Sequence, residues 1–298
     1  MPRGNRATFP LAFLCLLAGA CGHLRSSSPP SHEPPPAIAM SVSSRAVYVV
    51  DPGTGGRREV AGGLSNFQSG YATWLPGHRD VAYGQGGIVR LDVRTGRSEA
   101  LASGRNLSMP AFSPDGRLLA YGDGVSLWLS GLARPHPHRL PIPAILAPLE
   151  MAWSSTGLIA FQGLSLDCSQ LVRCVSTGLS EIWTILPDGT GLTELTRLGH
   201  AEKPKWSPDG LRILLVRRYP GTTKPAELWV VDSDGSAPHR MLGGGVIAAD
   251  WSPDGSGLAV VRTGPKPKTL QLYVGRSDGR GLRPMGGPFT GTDATVDW

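Results

Sequence analysis

The sequence predicts an all-β chain folded as a six-bladed β-propeller, with the N- and C-terminal strands sharing one blade. Three observations carry this. Glycine and proline are abundant, 40 and 27 of 298 residues, as expected where many turns join short strands. A unit of an aromatic residue, Ser, Pro, Asp and Gly recurs, with apolar runs on either side. The aromatics that lead these units, at 74, 112, 153, 206, 251 and 298, are spaced 38, 41, 53, 45 and 47 residues apart. A period near 40–50 residues is that of a propeller blade.

The unit is clearest as Phe112-Ser113-Pro114-Asp115-Gly116, followed by the apolar run Leu118–Tyr121. It returns as Trp206-Ser207-Pro208-Asp209-Gly210 before Ile213–Val216, and as Trp251-Ser252-Pro253-Asp254-Gly255 before Leu258–Val261. Weaker copies begin at Trp153-Ser154-Ser155-Thr156-Gly157 and Trp74-Leu75-Pro76-Gly77. Proline fixes φ at one corner, aspartate bonds back to the backbone and glycine supplies the positive φ, so the unit reads as a tight hairpin turn. One four-stranded sheet cannot bury both its faces, so the apolar runs must pack against neighbouring blades, with the aromatic as a wedge between them. Ring closure is also legible. Ala294–Trp298 is an inner strand with nothing after it, and Arg45–Gly53 has an outer-strand pattern with no leading aromatic. Each end supplies what the other lacks, which leaves no open sheet edge. The propeller is expected over residues 41–298.

The N-terminus reads as an export signal. Arg3 and Arg6 precede an apolar run from Ala7 to Ala20, too short for a bilayer that needs about 20 helical residues. Leu17-Ala18-Gly19-Ala20-Cys21 is similar to a bacterial lipobox, so residues 1–20 are expected to be a lipoprotein signal peptide and Cys21 the lipidated residue. Two or more acyl chains would anchor the chain stably, and Gly22 after the cysteine points to an outer membrane. Residues 21–40, with Ser26-Ser27-Ser28-Pro29-Pro30 and Pro34-Pro35-Pro36, read as an extended Ser/Pro-rich stalk. The net charge of +6 includes the two signal arginines, and no Lys/Arg run forms a nucleic-acid arm.

The repeated Trp-Ser-Pro-Asp-Gly unit, with His200-Ala201-Glu202-Lys203-Pro204-Lys205-Trp206, resembles the PD40 or TolB-like propeller family over residues 41–298. TolB carries an additional α/β domain ahead of its propeller, whereas here a stalk precedes it. Propeller-bearing peptidases of this resemblance attach a hydrolase domain, for which this chain has no room.

No His-Glu-x-x-His, phosphate-loop or Gly-x-Gly-x-x-Gly motif occurs. The channel positions just before the aromatics are Thr73, Ala111, Ala152, Lys205, Asp250 and Asp297. Two carboxylates and no histidine make a thin metal site, so neither metal nor cofactor is expected. Cys168 and Cys174 are expected to form a disulfide, as in an oxidising envelope compartment. His136 and His138 read as part of an exposed turn, and Asp115, Asp209 and Asp254 as turn residues. In a propeller, loops between second and third strands share a face with the links between blades. Arg217, Arg218, Lys224, Lys266 and Lys268 on such loops, beside His200 and Lys203, therefore predict a basic rim. The functional expectation is a monomeric, non-catalytic envelope scaffold that binds a protein or an anionic polymer through one face, meets the membrane through its lipid anchor only and binds no nucleic acid. The alternative is a channel-centred lyase or lactonase.

Overall fold

The computed structural model describes residues 36–42, 46–64, 71–104, 107–169 and 174–298. The expected signal peptide, Cys21 and nearly all of the expected stalk lie outside the described residues. Those described contain strands and turns and no helix. They form six four-stranded antiparallel sheets, as the repeat predicted.

Blade 1 holds β4 (Thr73–Trp74), β5 (Asp80–Gly84), β6 (Gly87–Asp92) and β7 (Ser98–Ser103). Blade 2 holds β8 (Ser108–Phe112), β9 (Leu118–Gly122), β10 (Leu127–Gly131) and β11 (His138–Arg139). Blade 3 holds β12 (Leu146–Trp153), β13 (Ile159–Asp167), β14 (Val175–Ile185) and β15 (Thr193–Glu194). Blade 4 runs from β16 (Ala201–Trp206) through β17 (Arg212–Arg217) and β18 (Glu227–Asp232) to β19 (His239–Leu242). Blade 5 runs from β20 (Val246–Trp251) through β21 (Gly257–Thr263) and β22 (Thr269–Arg276) to β23 (Arg283–Thr290). Blade 6 closes the ring: β24 (Ala294–Asp297) is the inner strand, followed outward by β1 (Ile38–Val42), β2 (Ala46–Val50) and β3 (Arg57–Gly62). Ala39 pairs with Asp297 and Val42 with Ala294.

The start of the propeller needs correction. β1 begins at Ile38, inside the segment read as stalk. Its prolines end at Pro36, and Ile38, Ala39 and Met40 are fully buried. Three apolar residues suffice for a strand when a partner strand waits beside them, a signal that the Ser/Pro composition of the segment hides.

Each turn does what its sequence implied, with one addition. Gly116, Gly210 and Gly255 have φ of 68°, 72° and 71°, the left-handed region open to glycine. Asp209 accepts the Leu211 N–H at 3.0 Å. The serine acts as well: Ser207 Oγ accepts the Arg212 N–H across the turn at 2.9 Å and donates to Asp209. Ser113 and Ser252 repeat the arrangement.

The core is six apolar clusters, one per interface between blades. Trp251 packs with Leu214, Val216, Leu228 and Val230 of blade 4 and with Leu258 and Val260 of blade 5. Phe112 joins Ala82 and Ile88 of blade 1 to Leu119 and Tyr121 of blade 2. Trp206 and Trp74 hold the same place between blades 3 and 4 and between blades 6 and 1. The leading aromatic is thus a wedge against the preceding blade.

Candidate functional site: the axial channel and its aromatic funnel

Alternate residues of a strand point to one side of the sheet. The blades present two rings of side chains to the axis, one immediately before each aromatic and one two residues earlier, at or beside a β-bulge of the inner strand in blades 2–5. The first ring is Thr73, Ala111, Ala152, Lys205, Asp250 and Asp297, the channel residues expected from sequence. The second is Tyr71, Met109, Glu150, Lys203, Ala248 and Thr295, all of which line the waist of the channel.

Three consecutive blades join in the first ring. Lys205 Nζ donates to Asp250 Oδ2 at 2.9 Å and to Asp297 Oδ1. Asp297 Oδ2 also accepts the Thr73 hydroxyl at 3.0 Å and the Trp74 N–H at 2.7 Å, both from blade 1. Asp250 repeats this latch one blade earlier: it accepts the Trp298 N–H at 3.3 Å, together with the N–H of Trp251 at 2.8 Å. Burial opposes the charge of both carboxylates, and their partners offset it unequally. Burial and the neighbouring Asp297 push Asp250 up to about 7, against the pull of Lys205. Burial works on Asp297 too, but Lys205, the Trp74 N–H and the Thr73 hydroxyl hold it below its ordinary value.

The second ring is similarly neutralised. Lys203 Nζ lies 2.7 Å from both Asp293 Oδ1 and the Ala294 carbonyl, and 3.7 Å from Glu150 Oε1. Arg218 pairs with Glu202 at 2.5 Å and reaches Asp293 at 3.7 Å. Lys203 and Glu150, with Tyr71 and Met109, line a waist of only about 50 Å³ of open space. The sequence reading missed Tyr71, Glu150 and Asp293. The first two could have been found by stepping back two residues from each channel position.

Burial raises Glu150 to about 7 even though Lys203 pulls it down. Its folded value then exceeds the unfolded one, so the folded chain holds the extra proton between about pH 4.5 and 7 and loses stability as pH rises through that window. The shift is worth up to about 3 kcal/mol. Glu150→Gln is therefore expected to raise the urea midpoint at pH 8 and to leave it nearly unchanged at pH 5.

On the face of the Ser-Pro-Asp-Gly turns the channel opens into a funnel of about 240 Å³. Every blade contributes: Trp74, Phe112, Trp153, Trp206, Trp251 and Trp298 line it, with Pro76, Pro208 and Pro253 at the lip and Lys205, Asp250 and Asp297 at the floor. Trp153 and Trp298 are half-buried, whereas the other four aromatics are buried.

Of the basic rim expected on the opposite face, Lys203 is internal, Arg217, Arg218 and His200 are half-buried, and Lys224, Lys266 and Lys268 are exposed. Lys203 is buried in the channel, because its strand turns it inward two residues before Lys205. Arg218 is committed to Glu202 and Asp293. Arg217 lies over Tyr219 and Trp229, and Lys224 over Tyr219 beside Glu227. Glu227 accepts from Tyr219, Trp229 and Arg240, which against its burial draw it down to about 2. His200 is half-buried, and its carbonyl accepts the Arg218 N–H. Lys266 and Lys268 are exposed as expected. Cys168 and Cys174 are disulfide-bonded and sit between β13 and β14. His136 and His138 are exposed. Among the described residues, no three His, Cys, Asp or Glu side chains gather as a metal site.

The sequence matches no protein-family model and no curated protein. Among solved structures the chain is similar to TolB from Acinetobacter baumannii, with a TM-score of 0.70 and 17% identity over 88% of this chain. That match spans 66% of the A. baumannii protein, just under two thirds of its length. A TolB from Agrobacterium tumefaciens gives a TM-score of 0.63 and 20% identity, covering 86% of this chain and 89% of that one. The fold is the TolB-like six-bladed propeller. An oligogalacturonate lyase solved with manganese is also similar, with a TM-score of 0.52 and 14% identity, covering 80% of this chain and 69% of the lyase. At these identities the likeness is one of fold, and fold alone does not choose between binding and catalysis.

Proposed function

We propose that this chain is a non-catalytic scaffold of the cell envelope, exported, lipid-anchored through Cys21, and seating a segment of a partner protein in the funnel. One observation carries the reading: the funnel is a concave, aromatic- and proline-lined mouth built by all six blades over a polar floor, the form of a binding site with few orienting groups. The floor is arranged to hold rather than to react. Lys205 is committed to two carboxylates, and both carboxylates accept backbone N–H groups. The disulfide and the two TolB neighbours support an envelope location. The rim was expected to meet an acidic protein or an anionic polymer, but Lys203, Arg217, Arg218 and Lys224 of that rim are engaged by ion pairs or aromatic rings within the molecule.

The test is capture of envelope proteins by the full chain and by Ala152→Trp, which fills the funnel. A defined partner retained by the natural chain and lost with Ala152→Trp, at unchanged thermal midpoint, is the expected result. Equal capture by both would contradict a funnel site. Formation of an unsaturated product from a uronate polymer, or hydrolysis of a lactone, by the natural chain would revive the enzyme reading.

A further inference from the structure

Beside the funnel, on blade 1, lies a second and larger hollow of about 570 Å³, lined by Pro76, Arg79, Asp80, Arg90, Asp92, Arg97, Ser98 and Glu99. Pro76 lines both hollows, so the groove continues outward from the funnel lip. Its walls come from the turn between β4 and β5, the turn between β6 and β7 and the ends of the strands these turns join; the Val93 N–H to Arg79 carbonyl bond ties the two turns together at 3.3 Å.

The charges in this groove are not equivalent. Arg90 is pinned: its guanidinium meets the buried Asp80 at 2.5 and 2.9 Å and Glu99 at 3.2 Å. Asp92 is turned toward its own loop, accepting the N–H groups of Arg94 and Thr95 at 2.8 Å each, and these hold it below its ordinary value. Arg79 and Arg97 are exposed, and no ion pair or side-chain hydrogen bond occupies their guanidinium groups among the described residues. The wall therefore offers two open guanidinium forks, while most of its carboxylate capacity is already in use. Such forks match carboxylates two bonds at a time.

We propose that this groove binds an acidic peptide segment, with Arg79 and Arg97 gripping its carboxylates. Peptide is favoured over a sulfated or phosphorylated polymer by the mixed lining. Asp92 and Glu99 stand among the arginines. A uniformly charged polymer would press against them, whereas a peptide sets backbone N–H donors between its carboxylates. The proposal deepens the partner-binding reading by giving the partner's chemistry outside the funnel, and its test does not depend on the funnel.

The test is titration of the full chain with hexaglutamate, followed by NMR or calorimetry, against hexaglutamine and dextran sulfate. Hexaglutamate binding that weakens about tenfold in Arg79→Gln/Arg97→Gln is expected. Arg79→Lys/Arg97→Lys should recover only part of it, because lysine keeps the charge and loses the fork. Binding should also fall as salt rises from about 0.05 to 0.3 M. Lys266→Gln/Lys268→Gln, on the other face, should leave it unchanged. Both arginines are exposed, so the thermal midpoint should hold in each variant. Equal affinity in Arg79→Gln/Arg97→Gln overturns the site, and tighter binding of dextran sulfate that needs the same arginines overturns the peptide assignment. Loss of partner capture in Ala152→Trp with hexaglutamate binding intact would show that the two hollows act separately.

Discussion

Lys205→Met is expected to destabilise the propeller by about 3–5 kcal/mol, because it leaves two buried carboxylates facing each other without their cation. Asp250 and Asp297 are 11% and 17% exposed at the side chain, too enclosed for water to replace the ammonium. The loss should shrink as pH falls toward 5. Asp250 already has its pKa raised by burial, and without Lys205 it takes up a proton still more readily. Lys205→Met/Asp250→Asn/Asp297→Asn should cost less than Lys205→Met alone, since asparagine retains an acceptor for the N–H groups of Trp74 and Trp298 while removing the stranded charge. Urea titration at pH 5 and pH 8 separates these outcomes. A single-variant loss independent of pH would mean that packing, not charge, holds this ring.

Trp251→Ala is expected to cost about 3–5 kcal/mol, the range for emptying a large buried aromatic site. Its ring is 2% exposed, fills the interface between blades 4 and 5 and lies under the Arg212 guanidinium at 5.0 Å. Trp153→Ala should cost clearly less, because Trp153 is half-buried at the funnel and its indole N–H needs only the Gly157 carbonyl at 3.2 Å. Differential scanning calorimetry of the two variants measures the contrast. Equal losses would mean that the half-buried aromatics are as much wedge as the buried ones.

The fold was legible because each blade repeats its own local instructions. Turn residues fix the hairpins, apolar runs fill the six interfaces, and the incomplete ends reveal how the ring shuts. β1 was hidden because its apolar run is short and follows prolines, and its burial comes from β24, more than 250 residues away in sequence. The first channel ring was legible from the position just before each aromatic. The partners of its charges were not, since Lys205 meets Asp250 and Asp297 only across the axis. The same limit misled the rim. Lys203, Arg218 and Lys224 look free as a basic run in sequence, but Glu150, Asp293, Glu202 and Glu227 reach them from other strands or loops. The arginine groove was not legible because Arg79 and Arg97 lie on two turns that face each other only once blade 1 has folded.

The most direct test of the central claim is site-specific photo-crosslinking in cells that carry the full chain. A crosslinking residue is placed in turn at Pro76, at Pro253 and at Lys268. The expected result is a shared crosslinked partner from the two funnel-lip positions and none from Lys268 on the opposite face. Crosslinks from Lys268 alone would contradict the funnel and return the binding surface to the rim.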